Sequence, residues 1–556
     1  MAYDGGTTRT VELTSSLGPG SVAWPPPGDL ARLRAYTRYR RLHEGDHKRV
    51  YVTEGKYNYD TDREYIAVNV CAEITDLVVD RLFGETVKVR AAVTAGGDGA
   101  VVGGAALPRG PVVPMATADD NGNGGPGSNP APPTANDTAQ AWIEHLSEIS
   151  TCDTMFVEMG RGVSYRGDGG LKIRYDSKRQ DVLISPVSSA LMFVTTADGD
   201  VETITSITIA YTRPNPQKPK ETLLFQEIHT RGRIDYTLHR VKASPSGGGY
   251  RYRPDTDRVP LDTLPELAAL AATLDEDDGQ DTGVDELLIV PIAMGGSDES
   301  GVWGRSDYAD VEDLQGELNN RVTQAGGIQD KHSDPWMYGP PAFLTEEQKL
   351  DPRYRYFSVS NNEQVPGYIT WDANLEHAET SINRLMTQML FVAGLSPESF
   401  GLGEGSAESG RALKLRQHRT ASSVRMRQRI YDRAIRTAVS VASKLANSPA
   451  APDLALRPPE MEPEDVTLEW NDGLPNDAME SVEIAGAALT MGIMSLEHAV
   501  RMAQPELSDD EVALEIDAIT SEKPAAPNPG RVGLGADFEP VSPTQTASTG
   551  VNTTTE

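Results

Sequence analysis

INRLMTQMLFVAGLSPESFGLGEGSAESGRALK, residues Ile382–Lys414, holds three pieces in order: a helix, a glycine-rich loop and the opening of a second, longer helix. The first helix begins a few residues upstream. Leu375, Ala378, Ile382, Leu385, Met389 and Val392 recur at three- and four-residue steps, the spacing that lines one face of an α-helix. About 19 such residues would span roughly 28 Å at about 1.5 Å each. SPESFGLGEGSAESG then carries Gly401, Gly403, Gly405 and Gly410, a composition that favours a loop able to flex or to approach another backbone closely. A long helix is expected from about Ser409 to Asn447. GLGEG follows a helix, so it lacks the strand that must precede a dinucleotide-binding fingerprint.

The long helix is unusual in charge. Between Arg411 and Arg436 lie nine Lys or Arg residues against one acid, Asp432, whereas Glu462–Lys523 holds 16 acids and two basic residues. Like charges at this density disfavour a helix unless opposite charges lie close by. The basic helix is therefore expected to meet the acidic segment or an acidic neighbouring subunit. Contact with DNA phosphate is the weaker expectation, and falls on Arg411, Lys414, Arg416 and Arg419 beside the loop.

Upstream, Tyr308, Val311, Leu314 or Gln315, Leu318, Val322, Ala325 and Ile328 predict another long helix. Residues 333–372 interrupt the helical pattern with prolines, tyrosines and the strand-like pieces RYFSVS and GYITW. The two apolar stripes, with Leu318, Val322, Ile382, Leu385 and Met389 as their packing positions, suit packing within one subunit as well as packing between subunits.

The first half is different. Residues 1–28 are rich in Gly, Ser, Thr and Pro, and read as an arm. Helices are predicted from Asp29 and over Asn69–Phe83, where Gly84 is placed to cap. Residues 94–137 contain 10 Gly and 7 Pro, a disordered insertion by composition, before a helix over Ala139–Ile149. LKIRYD, VLISPV, ALMFVTT, SITIAYT, TLLFQEIHT, IDYTLHRV and ELLIVPI alternate and are rich in β-branched residues, so they predict a mixed sheet domain. The last 33 residues, 524–556, have the composition of a disordered tail.

Composition narrows the function. A chain of 556 residues is too long for one simple core. Its formal net charge of −31 argues against a conventional nucleic-acid binder, which neutralises phosphates with Lys and Arg. No apolar run approaches a membrane span, and the N-terminus lacks a signal-peptide pattern, so a cytoplasmic protein is expected. Cys71 and Cys152 sit among apolar neighbours and predict buried thiols. No P-loop, His-Glu-x-x-His helix or Gly-x-Ser-x-Gly elbow occurs. His43 and His47 are too few for a closed metal site. No enzyme, cofactor or metal is therefore expected.

Taken in order, these parts resemble the portal proteins of tailed bacteriophages. The likeness rests on Tyr39 with Gly45 and His47, on NVCAEITDLVVDRLFGE and LQGELNNRVTQAGGIQDKHSDPWMYG, and most specifically on Ile382–Lys414. VTLEWNDGLPND and MGIMSLEHAVRMAQPELSDDEVALEI extend it, so that it covers most of residues 30–520. The 94–137 insertion departs from the family.

The resemblance implies an α+β, portal-like fold: a mixed α/β wing over 29–304, a two-helix stem, a small α/β clip and a helical C-terminal crown. Stem helices would occupy Arg305–Lys331 and Asp372–Ala393, and the clip His332–Trp371. The tunnel loop would be Gly394–Glu408, the basic helix and its link 409–460, and the crown 461–523. Channel-facing positions would be Ser396, Gly401, Gly403, Glu404, Gly405 and Ser406. Trp336, Tyr338, Tyr354 and Tyr356 of the clip would meet the terminase or the head–tail adaptor. It implies a ring, usually of twelve subunits, at one capsid vertex of the virion. Double-stranded DNA would pass through it, the terminase large subunit would dock on it, and major capsid and scaffold proteins would assemble around it. Rival readings are another oligomeric connector or scaffold ring, and an enzyme using GLGEG.

Overall fold

The seven strand-like runs are seven strands. The computed structural model describes residues 20–54, 64–92, 134–198, 200–244, 249–296, 301–333, 336–340, 356–359, 365, 367–369, 375–402, 415–470, 478–504, 507 and 509–522. It divides into two units, 1–474 and 475–556.

The first unit opens with β1 (Val22–Trp24), α1 (Leu30–His43), α2 (Val70–Phe83), β2 (Lys88–Ala91), α3 (Ala135–Ile149) and α4 (Cys152–Arg166). Strands β3 (Asp168–Asp176), β4 (Asp181–Ser188), β5 (Met192–Ala197), β6 (Asp200–Pro214), β7 (Thr222–Thr230), β8 (Arg233–Ala243) and β9 (Tyr250–Tyr252) follow. The short turns α5 (Pro254–Asp257) and α6 (Ala268–Ala271) precede β10 (Gly279–Asp281) and β11 (Ile289–Ala293). An antiparallel seven-stranded sheet runs β1-β9-β8-β7-β6-β5, with β10 beside β8, and a second runs β11-β3-β4. Lys172 on β3 donates to Glu227 on β7 at 2.5 and 2.7 Å, which ties the two sheets. Glu227 also bonds His229 at 3.0 Å. Burial alone would raise the Glu227 carboxyl, but the hydrogen bond with His229 and the Lys172 ammonium pull it down to about 2.

Helices follow local chemistry. The Asn69 side chain accepts from Ala72 N–H and starts α2, and a side chain at Gly84 would strike the Asp80 carbonyl. Asp29 stands at the N-terminus of α1, where its carboxylate pairs with Arg32 at 2.8 Å. Both cysteines are buried and free, and burial pushes the Cys152 thiol up to about 12.

Three features depart from the expectations. The arm expected over 1–28 contains β1, because Trp24 packs its ring 4.4 Å from that of Phe193. Helix α3 starts at Ala135, inside the expected insertion, through a capping box of Thr134 and Asp137. Helix α4 was not foreseen. Its Gly160 lies against Phe83, where an added Cβ would come within 2.9 Å of the ring.

Helix α7 spans Glu312–Ser333, followed by β12 (Trp336–Gly339), β13 (Tyr356–Ser358) and β14 (Gly367–Ile369) in one small sheet. Helix α8 covers Leu375–Val392, α9 covers His418–Asn447, and β15 (Val466–Glu469) pairs with β2. One core joins α2, α3, α4, the β3 sheet, α7, α8 and α9. The second unit contains α10 (Ala478–Thr490), α11 (Leu496–Ala503) and α12 (Asp509–Glu522). The fold is thus mixed α and β.

Candidate functional site

Helices α7, α8 and α9 share one junction, and buried polar groups hold it. Arg427 of α9 donates to Asp307 at 2.6 Å just before α7, the two side chains being 11% and 13% exposed. The Asp307 carboxylate also accepts from the Ser164 hydroxyl of α4 at 2.7 Å. From Ser164 the chain continues to Thr75 at 3.1 Å, to Tyr308 at 2.8 Å and to His43 at 3.1 Å. Because Ser164 donates to a carboxylate, one donor direction from His43 to Asp307 satisfies every link. Burial drives the Tyr308 hydroxyl far above its usual range and holds the His43 imidazole below its own. The helix expected from Arg305 starts at Glu312 because Ser306–Val311 form this buried turn, with Ser306 Oγ accepting from Tyr308 N–H.

A second network locks α7 against α2. Gln315 accepts from Cys71 N–H at 3.1 Å and donates to Val68 O at 2.7 Å. Asn319 accepts from Val68 N–H and donates to His47 Nδ1 at 2.8 Å. His47 Nε2 faces Leu42 O at 2.9 Å, so the ring must carry its proton on Nε2 and stay neutral. Burial lowers its affinity for a second proton. Gly45, between the two histidines, adopts φ +82° and ends any shared helix face. Among the described residues no group of three or more His, Cys, Asp or Glu could hold a metal ion. No helix among them is long and apolar enough to cross a membrane.

The glycine loop leaves this junction from a built base. After α8, Gly394 turns the chain at φ +78°, and Ser396 N–H donates to Thr420 Oγ1 of α9 at 2.8 Å. Ser399 bonds the same Thr420 at 3.1 Å. Arg419 donates to Phe391 O at 2.8 Å and stacks 4.1 Å over the Phe391 ring, capping α8 from the first turn of α9. Ser396 is 4% exposed, so it anchors the loop and cannot face a channel, contrary to expectation. Gly401 is exposed at φ +71°. Gly403, Glu404, Gly405, Ser406, Arg411 and Lys414 lie outside the described residues.

Leu318 and Met389 are fully buried in this chain's own core, and Val322, Ile382 and Leu385 pack partly buried against it. Tyr338 is half-buried, approaching Gly367, while the Trp336 and Tyr356 side chains and all of Tyr354 lie outside the described residues. Of the basic residues on α9, Arg427 is buried and Arg436 pairs with Asp432 at 2.8 Å. Lys444 pairs with Glu286 and Glu462. Arg416, Arg425, Arg429 and Arg433 are exposed and have no carboxylate partner among the described residues.

Residues 251–526, the stretch holding this junction and loop, match the model of the family described as phage portal protein, SPP1 Gp6-like. Over these residues the chain is similar to the phage portal protein family. The match begins at β9, and therefore leaves α1–α4 and β1–β8 outside it. A solved structure described as the neck of a native GTA particle computed with C12 symmetry is similar at 12% identity and a TM-score of 0.32. That likeness covers 63% of this chain and 79% of the other. No curated protein matches the chain.

Proposed function

We propose that the chain forms the portal ring at one capsid vertex, where it seeds capsid assembly and serves as the conduit for double-stranded DNA during packaging and ejection. In this reading residues 29–304 are the wing, α7 and α8 the stem, β12–β14 the clip and Gly394–Glu408 the tunnel loop. The basic helix and its link (409–460) and the crown (461–523) complete the ring. Terminase and the head–tail adaptor dock at the clip, with Tyr338 and its aromatic neighbours as contacts.

The observation that carries the reading is the loop base within the family-matched region. Arg419 binds the end of α8 to α9 and Thr420 binds the start of the loop at Ser396, so the glycine segment is held at a firm base. A loop so anchored can follow a moving duplex without loosening the helices. The net charge of −31 supports the same reading, because an acidic bore discourages lasting phosphate contact.

Negative-stain images and native mass spectra of the purified protein test the ring, and a monomer at all concentrations would overturn it. Deletion within Gly401–Gly405 tests the conduit. Rings are expected to form normally while DNA packaging falls, and loss of assembly would instead make the loop structural.

A further inference from the structure

Helix α9 carries two stripes at helical spacing. Thr420, Val424, Arg427, Tyr431, Ala434 and Ala438 step by 4-3-4-3-4 residues, and all are buried in the chain's own core. On another face Arg419, Ser422, Met426, Arg429 and Arg433 step by 3-4-3-4, and all are exposed, with exposed Leu415 just before the helix. At about 1.5 Å per residue the stripe from Arg419 to Arg433 runs roughly 21 Å. The apolar residues here stand well out of the surface, Leu415 at 69% and Met426 at 56% exposure. A cavity of about 150 Å³ opens beside Met426, lined also by Val392, Ile430 and the Arg305–Asp310 pair. Phe391, under Arg419, is 59% exposed and extends the apolar surface.

We infer that this seam is a docking surface for a second copy of this chain. The inference rests on the ring proposed above and names one surface that closes it. Three observations select the partner. Arg425, Arg429 and Arg433 are exposed and have no carboxylate partner among the described residues, so they stand open to an acidic partner. A second copy is strongly acidic and supplies it. Exposed Met426 between arginines, with exposed Phe391 and Val392 at the neighbouring helix end, makes a mixed apolar and cationic face of the kind that packs on another protein. A face that only tracks phosphate needs cations and gains nothing from Leu415, Met426 and the cavity beside Met426. Arginine with large apolar side chains is also the composition enriched at protein interfaces.

The test uses the full chain with three variants: Met426→Asp, the double change Arg429→Glu/Arg433→Glu, and the double change Arg429→Lys/Arg433→Lys. Because all three positions are exposed, circular dichroism and the melting temperature should match wild type. Native mass spectrometry and sedimentation velocity are expected to show rings for wild type and for the lysine variant. For the aspartate and glutamate variants they should show monomers, or assembly requiring at least tenfold more protein. If those variants assemble like wild type, the seam is not an interface and the inference fails while the ring stands. If they assemble normally but lose affinity for a double-stranded DNA oligomer in fluorescence anisotropy, the face serves phosphate and the inference is likewise overturned. A wild type that never assembles would overturn the ring and the seam together.

Discussion

Replacing Asp307 by Ala should open the junction of α7, α8 and α9 from its centre. The substitution removes the carboxylate that accepts from Arg427 at 2.6 Å and from Ser164 at 2.7 Å. Arg427 is 9% exposed and would keep its charge with Ser423 as its remaining side-chain partner among the described residues. Leaving one member of a buried pair uncompensated costs about 3–5 kcal/mol, and the orphaned Ser164 hydroxyl adds about 1 kcal/mol. The loss is local to the junction, so global unfolding of a chain with two units is the wrong readout. Native-state hydrogen exchange reads it directly. The Gln315 amide, bonded to Val311 O at 2.8 Å in the first turn of α7, should exchange about a hundredfold faster or more, since about 1.4 kcal/mol is tenfold. The double variant Asp307→Ala/Arg427→Met removes the unpaired charge and should recover most of the protection. Acceleration below about threefold in the single variant, or a double variant worse than either single, would refute the reasoning.

Stability should fall as pH drops below about 6.5. Burial holds His47 below its ordinary value of 6.5, so the unfolded chain binds the proton first; the contribution is present above that pH and is lost through more acid values. His43 and His239 act in the same sense, and His47→Gln should flatten the slope of melting temperature against pH. Gly160→Ala sets two effects against each other. Helix propensity favours Ala by about 1 kcal/mol, but Phe83 is held by ring contacts with Phe156, Tyr431 and Trp470 and cannot yield to a Cβ at 2.9 Å. Overpacking of about 1–3 kcal/mol should therefore win, and a raised melting temperature would show that the ring moves. Thr420→Val removes the acceptor of the buried Ser396 N–H, at about 1–3 kcal/mol. The Ser396 amide should exchange at least tenfold faster, while Thr420→Ser should leave it protected.

Much of the architecture was legible because the signals are local. The strands announce themselves by alternation and β-branched residues, and α2 by Asn69 and Gly84 at its ends. Helix α4 carried a signal that was passed over. Cys152, Met155, Phe156, Met159 and Val163 have helical spacing, but Gly160 and Gly162 lowered the apparent propensity. Gly160 suits the close packing of α4 on α2 at Phe83 and Val79, which no local pattern reports. Strand β1 is hidden because three residues between prolines and glycines carry too little periodicity, and Trp24 is held by residues distant along the chain, Phe193, Leu224 and Tyr252 among them.

The candidate site divides the same way. The order of helix, glycine loop and basic helix is written in Ile382–Lys414 and its flanks, since periodicity and glycine content depend only on neighbours along the chain. Nothing in that order separates Arg427 from Arg425 or Arg429. Tertiary structure turns Arg427 inward to Asp307, 120 residues away, and leaves the other two on the surface. In the same way Ser396 becomes a buried anchor rather than a channel residue once Thr420 lies beside it. Sequence alone determined most of the elements and their order, because hydrophobic spacing and capping act within a few residues. Which arginine is buried, which serine anchors and which stripe of α9 remains open was decided only in three dimensions, where distant segments supply the partners that burial of a polar group demands.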